Sequence, residues 1–125
     1  MPSTPATSAT GSADDLASKL KRTELQHSAI SVPGREVVQV LTEIPAGVSS
    51  GWHMHPGEEV GYIVSGTVRM EIEGAETLLL HAGDPFLMPP RTPHNATDLG
   101  PGTGMMLSTY IVEVDVPIAE FTRGE

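Results

Sequence analysis

Apolar and polar residues alternate along much of the chain with a period of two, which is typical of β-strands. The clearest case is VRMEIE at residues 68–73, where every second residue is charged. Gly, Pro, Asp and Ser separate this segment from others that are rich in β-branched residues. The predicted strands are residues 37–43, 60–64, 68–72, 76–80, 85–88, 94–98 and 105–114.

No segment has helical periodicity over three turns, so the pattern predicts an all-β fold. Short strands with turns about every ten residues favour an antiparallel sandwich or barrel. The length of 125 residues predicts one domain, which we place at residues 23–125. Residues 1–22 are mostly small and polar and cannot offset the entropy of ordering, so they are predicted to form a disordered, flexible N-terminal arm.

Charge excludes several classes of function. Residues 24–125 hold 14 acidic residues against four arginines and no lysine. Phosphate backbones would meet repulsion along most of such a surface, so nucleic acid is not an expected partner. The same stretch lacks a lysine for Schiff-base chemistry.

The chain has no cysteine, which excludes disulfides, thiol nucleophiles and zinc–thiolate or iron–sulfur sites.

No apolar run reaches the roughly 20 residues that a membrane span needs. The chain begins without a basic start and an apolar region, so no secretory signal is predicted. We therefore expect a cytoplasmic protein with no membrane partner.

Four potential metal ligands form a pattern. His53 and His55 are two residues apart, so on a strand both imidazoles point to the same side. Glu59 follows where the next strand begins, and His94 lies on a later strand. Three imidazoles and one carboxylate suit a divalent first-row metal such as Fe, Mn, Ni, Cu, Co or Zn. A six-coordinate ion held by four ligands would keep two positions open for water, dioxygen or substrate.

These residues stand in motifs that resemble those of the cupin family, specifically small single-domain bacterial cupins. Gly47-x5-His53-x-His55-x3-Glu59-x6-Gly66 matches the first cupin motif at every fixed position. The second motif resembles Gly83-x5-Pro89-x-Arg91-x2-His94-x3-Asp98, in which the family usually has Gly at position 91 and Asn at position 98. The resemblance covers roughly residues 35–115.

The resemblance implies a jelly-roll barrel of six to eight strands with one divalent transition metal inside, held by His53, His55, Glu59 and His94. It also implies a homodimer, for which Trp52, Met54 and apolar residues of the leading segment are interface candidates. Glycines at positions 47 and 66 would lie in turns that flank the ligand strands. Arg91 in place of Gly puts the usual tight turn in question and adds a cation near His94.

Arg91 is also the candidate for substrate contact, since its guanidinium can bind a carboxylate or phosphate; the alternative is an exposed charge paired with Asp98 or Glu58. The facing of Tyr110 cannot be fixed, because residues 105–112 are apolar on both sides. No other catalytic residue is identified.

Two classes of function remain open at this stage. The first is a metal-dependent enzyme, of oxygenase type, that acts on a small oxygenated organic molecule; an isomerase, lyase or decarboxylase would use the same site. The second is a non-catalytic module that binds a metal or a small molecule. In both, the expected partner is a small molecule.

Overall fold

The computed structural model describes residues 20–122, and within this range the chain forms ten β-strands. They are β1 (Lys21–Ala29), β2 (Arg35–Ile44), β3 (His53–Met54), β4 (Glu58–Ser65), β5 (Thr67–Ile72), β6 (Leu78–His81), β7 (Pro85–Met88), β8 (His94–Asp98), β9 (Gly104–Glu113) and β10 (Glu120–Phe121). No helix in this range is long and apolar enough to cross a lipid bilayer.

The strands form two five-stranded sheets in which every pairing is antiparallel. The first sheet has the order β1-β2-β9-β4-β7, and the second has the order β10-β3-β8-β5-β6. Neighbours such as β2 and β9 are far apart in sequence, as expected for strands that cross between the sheets of a jelly roll. The predicted all-β jelly-roll barrel is confirmed.

The apolar core lies between the two sheets. Alternate residues of β4 and β5 turn inward, so Ile63 of the first sheet and Val68 and Met70 of the second are almost fully buried. Their buried neighbours in the same cluster include Phe86 and Met88. A strand that contributes one face to this core has the alternating pattern on which the sequence prediction depends.

Seven of the ten strands lie at or close to their predicted positions, and β7 and β8 have the predicted bounds. β1 was not predicted as a strand, because nearly all of its side chains are exposed. Its backbone nevertheless pairs with β2 along its whole length. β1 begins at Lys21, so the last residues of the expected arm belong to the first sheet. The rest of that arm, residues 1–19, lies outside the described residues.

The glycines that begin and end the first motif lie in turns with left-handed backbone conformations. Gly47 has a φ of 79° and Gly66 has a φ of 88°. At Gly66 a side chain would also meet the backbone of Gly104, since an added Cβ would lie 2.8 Å from its Cα atom. Only glycine satisfies both conditions without strain. These two turns bracket the segment that bears three of the four candidate ligands, His53 and Glu59 on strands and His55 in the loop between them.

Candidate metal centre

The second sheet places His53 directly opposite His94. The two residues are register partners of the antiparallel strands β3 and β8. The segment before β3 is fixed to β8 as well, since the amide of Ser50 donates to the carbonyl of Ala96 at 2.8 Å. Asn95 accepts a hydrogen bond from the amide of Gly51 at 2.9 Å. The pairing of two strands far apart in sequence therefore brings the first and last candidate ligands together.

The loop after β3 carries His55 and crosses to the first sheet. Its Gly57 is packed so closely against β9 that an added Cβ would lie 1.8 Å from the carbonyl oxygen of Ile111. The carbonyl of His55 accepts a 2.7 Å hydrogen bond from the amide of Arg91. The loop is thus held from two sides, and its short path places the next ligand, Glu59, on the opposite sheet.

Glu59 lies on β4 with its side chain in the barrel interior, where it is 3% exposed. Its neighbour Glu58 is exposed, as the alternation along the strand predicts. The hydroxyl of Ser108 on β9 donates a 2.7 Å hydrogen bond to Oε2 of Glu59. This bond occupies one carboxylate oxygen and leaves Oε1 directed at the histidines.

Each of the three imidazoles is oriented by a backbone carbonyl. Nδ1 of His53 contacts the carbonyl of Gly51 at 2.7 Å. Nδ1 of His55 contacts that of Ile118 at 2.8 Å, and Nδ1 of His94 contacts that of Thr92 at 2.8 Å. A carbonyl oxygen can only accept, so Nδ1 is the protonated nitrogen in all three rings. In a neutral ring Nε2 then carries a lone pair that is free to bind a cation.

The free nitrogens and the carboxylate converge on one point. One ligand atom from each of His53, His55 and His94 lies within 4.8 Å of the others. Oε1 of Glu59 lies 3.1 Å from Nε2 of His55 and 3.3 Å from Nε2 of His94. The structure therefore brings together all four residues that the sequence predicted as ligands.

This arrangement fits a bound metal ion. Nε2 of His55 and Oε1 of Glu59 are fully buried and have no hydrogen-bond partner. When the His55 ring is neutral its proton is on Nδ1, so Nε2 and Oε1 present lone pairs to each other across 3.1 Å. Unpaired buried acceptors are costly, and a shared divalent cation would satisfy them together. Three imidazole nitrogens and one carboxylate are donors that first-row metals accept.

The ionisation of the centre favours the metal-binding forms. Burial lowers the pKa of the His53 imidazole well below 6.5, and repulsion by His55 and His94 acts in the same direction. Burial alone would raise the pKa of the Glu59 carboxyl, but the adjacent His55 and His94 hold it well below its ordinary value. Near neutral pH, His53 is therefore neutral and Glu59 is ionised.

A small cavity adjoins the centre inside the barrel. It has a volume of about 20 Å³, and His53, Glu59 and His94 form part of its wall. That volume is enough for about one water molecule. The polar residues in the rest of the wall are Arg22, Thr42, Ser50 and Tyr110, and the apolar ones are Leu20, Met70, Ala96 and Met106.

Arg91 lies on the outer side of this wall. Its guanidinium donates to the carbonyl of Pro56 at 3.4 Å, and it lines an open groove of about 360 Å³ that reaches His55. It does not line the interior cavity. The turn forms although position 91 is not glycine, because Arg91 itself adopts the left-handed backbone conformation, with a φ of 55°. Asp98 does not pair with Arg91; it accepts hydrogen bonds from the amides of Gly100 and Gly104.

Three residues beside the centre were not assigned to it from the sequence, which left the facing of Tyr110 open and gave no sign of the other two. Ser108 orients Glu59, the ring centre of Tyr110 lies 4.6 Å from that of His55, and Cζ of Arg22 lies 5.8 Å from the same Tyr110 ring centre. Burial raises the pKa of the Tyr110 phenol to about 12, and the charge of Glu59 acts in the same direction. Arg22 was assigned to the arm, and the polar sequence of β1 gave no signal to the contrary.

Comparison with known proteins agrees with this geometry. The family model of the cupin domain matches residues 40–110. No curated protein matches the chain. Among solved structures, KdgF from Halomonas sp. is 25% identical and superposes with a TM-score of 0.65, over 78% of this chain and 83% of that one.

Two further structures share the fold. The DMSP lyase DddQ from Ruegeria pomeroyi DSS-3 is 25% identical with a TM-score of 0.64, over 71% of this chain but only 45% of the lyase. Oxalate decarboxylase from Bacillus subtilis, a protein with Mn(II) centres, is 22% identical with a TM-score of 0.60. The match covers 68% of this chain and 23% of the decarboxylase.

Proposed function

The chain belongs to the cupin family, and we propose that it is a metal-dependent enzyme that acts on a small oxygenated organic molecule. One divalent transition metal would be held by His53, His55, Glu59 and His94. The observation that carries this proposal is the convergence of three imidazole nitrogens and one buried carboxylate oxygen. Two of these four atoms, Nε2 of His55 and Oε1 of Glu59, have no hydrogen-bond partner.

The residues around the centre are suited to catalysis. A metal bound here would act as a Lewis acid toward an oxygen atom of the substrate. Ser108 keeps the Glu59 carboxylate in one orientation, and the backbone carbonyls keep the imidazoles in theirs. Tyr110 retains its proton at neutral pH and can donate a hydrogen bond inside the cavity. His53, Glu59 and His94 are almost fully buried, which strengthens electrostatic interactions at the centre.

We favour a non-oxidative reaction, such as that of a lyase, a decarboxylase or an isomerase. Such reactions need a polarised substrate oxygen and a protic group nearby, and Tyr110 supplies the protic group. The similarity to a DMSP lyase supports this class, although the chain spans less than half of that protein.

An oxygenase is the second candidate. Its support is the ligand set itself, since three imidazoles and one carboxylate suit redox-active Fe, Ni or Cu and leave two positions on a six-coordinate ion for substrate and dioxygen.

Elemental analysis of protein purified without added metal is the first test. About one metal ion per chain is expected, with its loss in Glu59→Ala and its retention in Glu58→Ala, the exposed neighbour on the same strand. Full metal in Glu59→Ala would contradict the assignment.

Turnover then separates the candidate functions. The metal-loaded protein is screened against small hydroxy, oxo and dicarboxylic acids under air and under nitrogen. Equal rates in both atmospheres support the lyase, decarboxylase or isomerase class, and a rate that requires air supports the oxygenase. A ligand that raises the melting temperature without any product would identify a binding module instead.

We also propose that the protein is a homodimer, with an interface on the outer face of the first sheet. Val60 and Leu87 are register partners on β4 and β7, and Tyr62 continues the same face. All three side chains are exposed, Leu87 by 62%. β7 is an edge strand, and a second copy would cover both the edge and the apolar side chains. This face differs from the Trp52 and Met54 surface that the sequence favoured.

A further inference from the structure

Arg22 is a cation in the wall of the same cavity as the metal ligands. It lies on β1, and its half-buried side chain reaches over the first sheet into the barrel. Its Nη1 donates to the hydroxyl of Thr42 at 3.3 Å. Its Cζ lies 5.8 Å from the centre of the Tyr110 ring, whose other neighbour is His55. The guanidinium and the candidate metal ligands His53, Glu59 and His94 thus line one cavity, with the Tyr110 ring in its wall.

No carboxylate among residues 20–122 forms an ion pair with this guanidinium. The adjacent Lys21, which points to the outside, does have a partner in Glu43 at 3.8 Å. Glu59 is the carboxylate in the cavity wall, but its oxygens face Ser108 and the imidazoles. A half-buried guanidinium without a counter-ion, with only part of its five-donor fork in use, is suited to bind an anion.

We propose that Arg22 is a specificity-determining residue that binds the carboxylate of the substrate, while a second oxygen of the same molecule reaches the metal centre. The inference rests on the proposed function, because the second oxygen needs the metal ion. The substrate class is thereby narrowed to small carboxylic acids with a second oxygen donor. Bidentate binding by the planar fork favours a carboxylate over an alcohol or an amide.

The cavity is too small to accept such a molecule unless side chains of its wall move. A space of about 20 Å³ is too small for a carboxylic acid beside a metal ion. Arg22 is half-buried at the boundary of this space and has a long, flexible stem. Binding beside the metal would need wall side chains to move, and in the proposed complex the substrate carboxylate replaces the Thr42 hydroxyl as a partner of the Arg22 guanidinium.

The test compares malonate with acetate on Mn²⁺-loaded protein by isothermal titration calorimetry. Malonate offers one carboxylate to the metal and another to Arg22, whereas acetate offers only one. In the wild type, malonate is expected to bind at least about tenfold more tightly than acetate. In Arg22→Gln that advantage disappears, while the acetate affinity changes little. Arg91→Gln, at the arginine of the outer groove, is the matched control and keeps the advantage.

Two results would overturn the inference. Either the malonate advantage persists in Arg22→Gln, or it disappears in Arg91→Gln alone, which would place the anion in the outer groove. Metal content is measured on every variant, so failure of the metal centre is recognised separately by absent Mn²⁺ in the wild type. If Arg22→Gln does not fold, Arg22→Lys takes its place. Because lysine keeps the charge but not the planar fork, its preference for malonate over acetate is expected to be smaller than that of wild type but not zero.

Discussion

The hydroxyl of Ser108 donates a 2.7 Å hydrogen bond to Oε2 of Glu59, inside the barrel where both residues are buried. Ser108 on β9 stands beside Glu59 on β4 because these strands are neighbours in the first sheet. The bond leaves Oε1 free for the candidate cation position, so Ser108 would act on a bound metal through Glu59.

Ser108→Ala is expected to weaken metal binding roughly 10- to 100-fold, because partners that orient a ligand contribute that much at other metal sites. All four ligands remain, so the variant still binds metal at saturation. Competition with a chelator measures the affinity. Thr109→Ala, one residue along the strand and facing outward, is the control and should match wild type. Equal affinity in all three proteins would remove Ser108 from the site.

Gly57→Ala is expected to lower the free energy of unfolding by about 1–3 kcal/mol, the usual cost of overpacking. The added methyl group would overlap the carbonyl oxygen of Ile111, so the ligand loop must shift. The metal affinity falls too, since His55 and Glu59 flank this loop. Thermal unfolding and chelator competition measure the two effects. The control is Gly102→Ala, whose Cβ would meet open space; an equal loss in both variants would argue against the contact.

Stability of the metal-free protein is expected to fall as the pH drops below 6.5. The folded state holds the pKa of His53 well below that value, mainly through burial. Between the folded and unfolded pKa values the unfolded chain binds a proton that the folded chain does not, so acid favours unfolding. The slope from this residue is at most about 1.4 kcal/mol per pH unit.

Melting temperatures of chelator-treated protein between about pH 7.5 and 5.5 measure this effect. His53→Gln cannot take up the proton, so its melting temperature should depend less on pH than that of wild type. An unchanged slope in the variant would show that other groups dominate.

Leu87→Glu is expected to convert the proposed dimer into a monomer, because it places a charge at the centre of the exposed apolar face of the first sheet. Leu79 is exposed by 56% on β6 of the second sheet, so Leu79→Glu is a matched control that should remain dimeric. Sedimentation or light scattering at micromolar concentration gives the mass. A monomeric wild type would reject the dimer outright.

The sequence predicts the strands of the core well because burial of one face imposes alternation on them. β7 and β8 have the predicted bounds for this reason. β1 presents few residues to the core, so its sequence carries no such pattern, although its hydrogen bonds with β2 are as extensive as those of other pairs. Backbone pairing at a sheet edge does not require apolar side chains, and periodicity cannot detect it.

The convergence of the four candidate ligands was predictable because four residues in a fixed spacing are a local signal. Their surroundings were not, because they depend on contacts between distant segments. Tyr110 lies on β9, a central strand with apolar residues on both faces, so alternation could not orient it. Arg22 enters the cavity only because β1 pairs with β2, and Thr42 is its register partner there.

The three imidazoles are anchored by main-chain carbonyls, two of them at Thr92 and Ile118. A substitution at either position keeps the main-chain carbonyl oxygen that accepts the hydrogen bond from the imidazole. Orientation of the candidate metal ligands is therefore encoded in the path of the backbone, whereas the proposed contact of Arg22 with the substrate is encoded in a side chain. The two properties can be inherited and altered separately, so a descendant of this barrel can acquire a new substrate without rebuilding its metal centre.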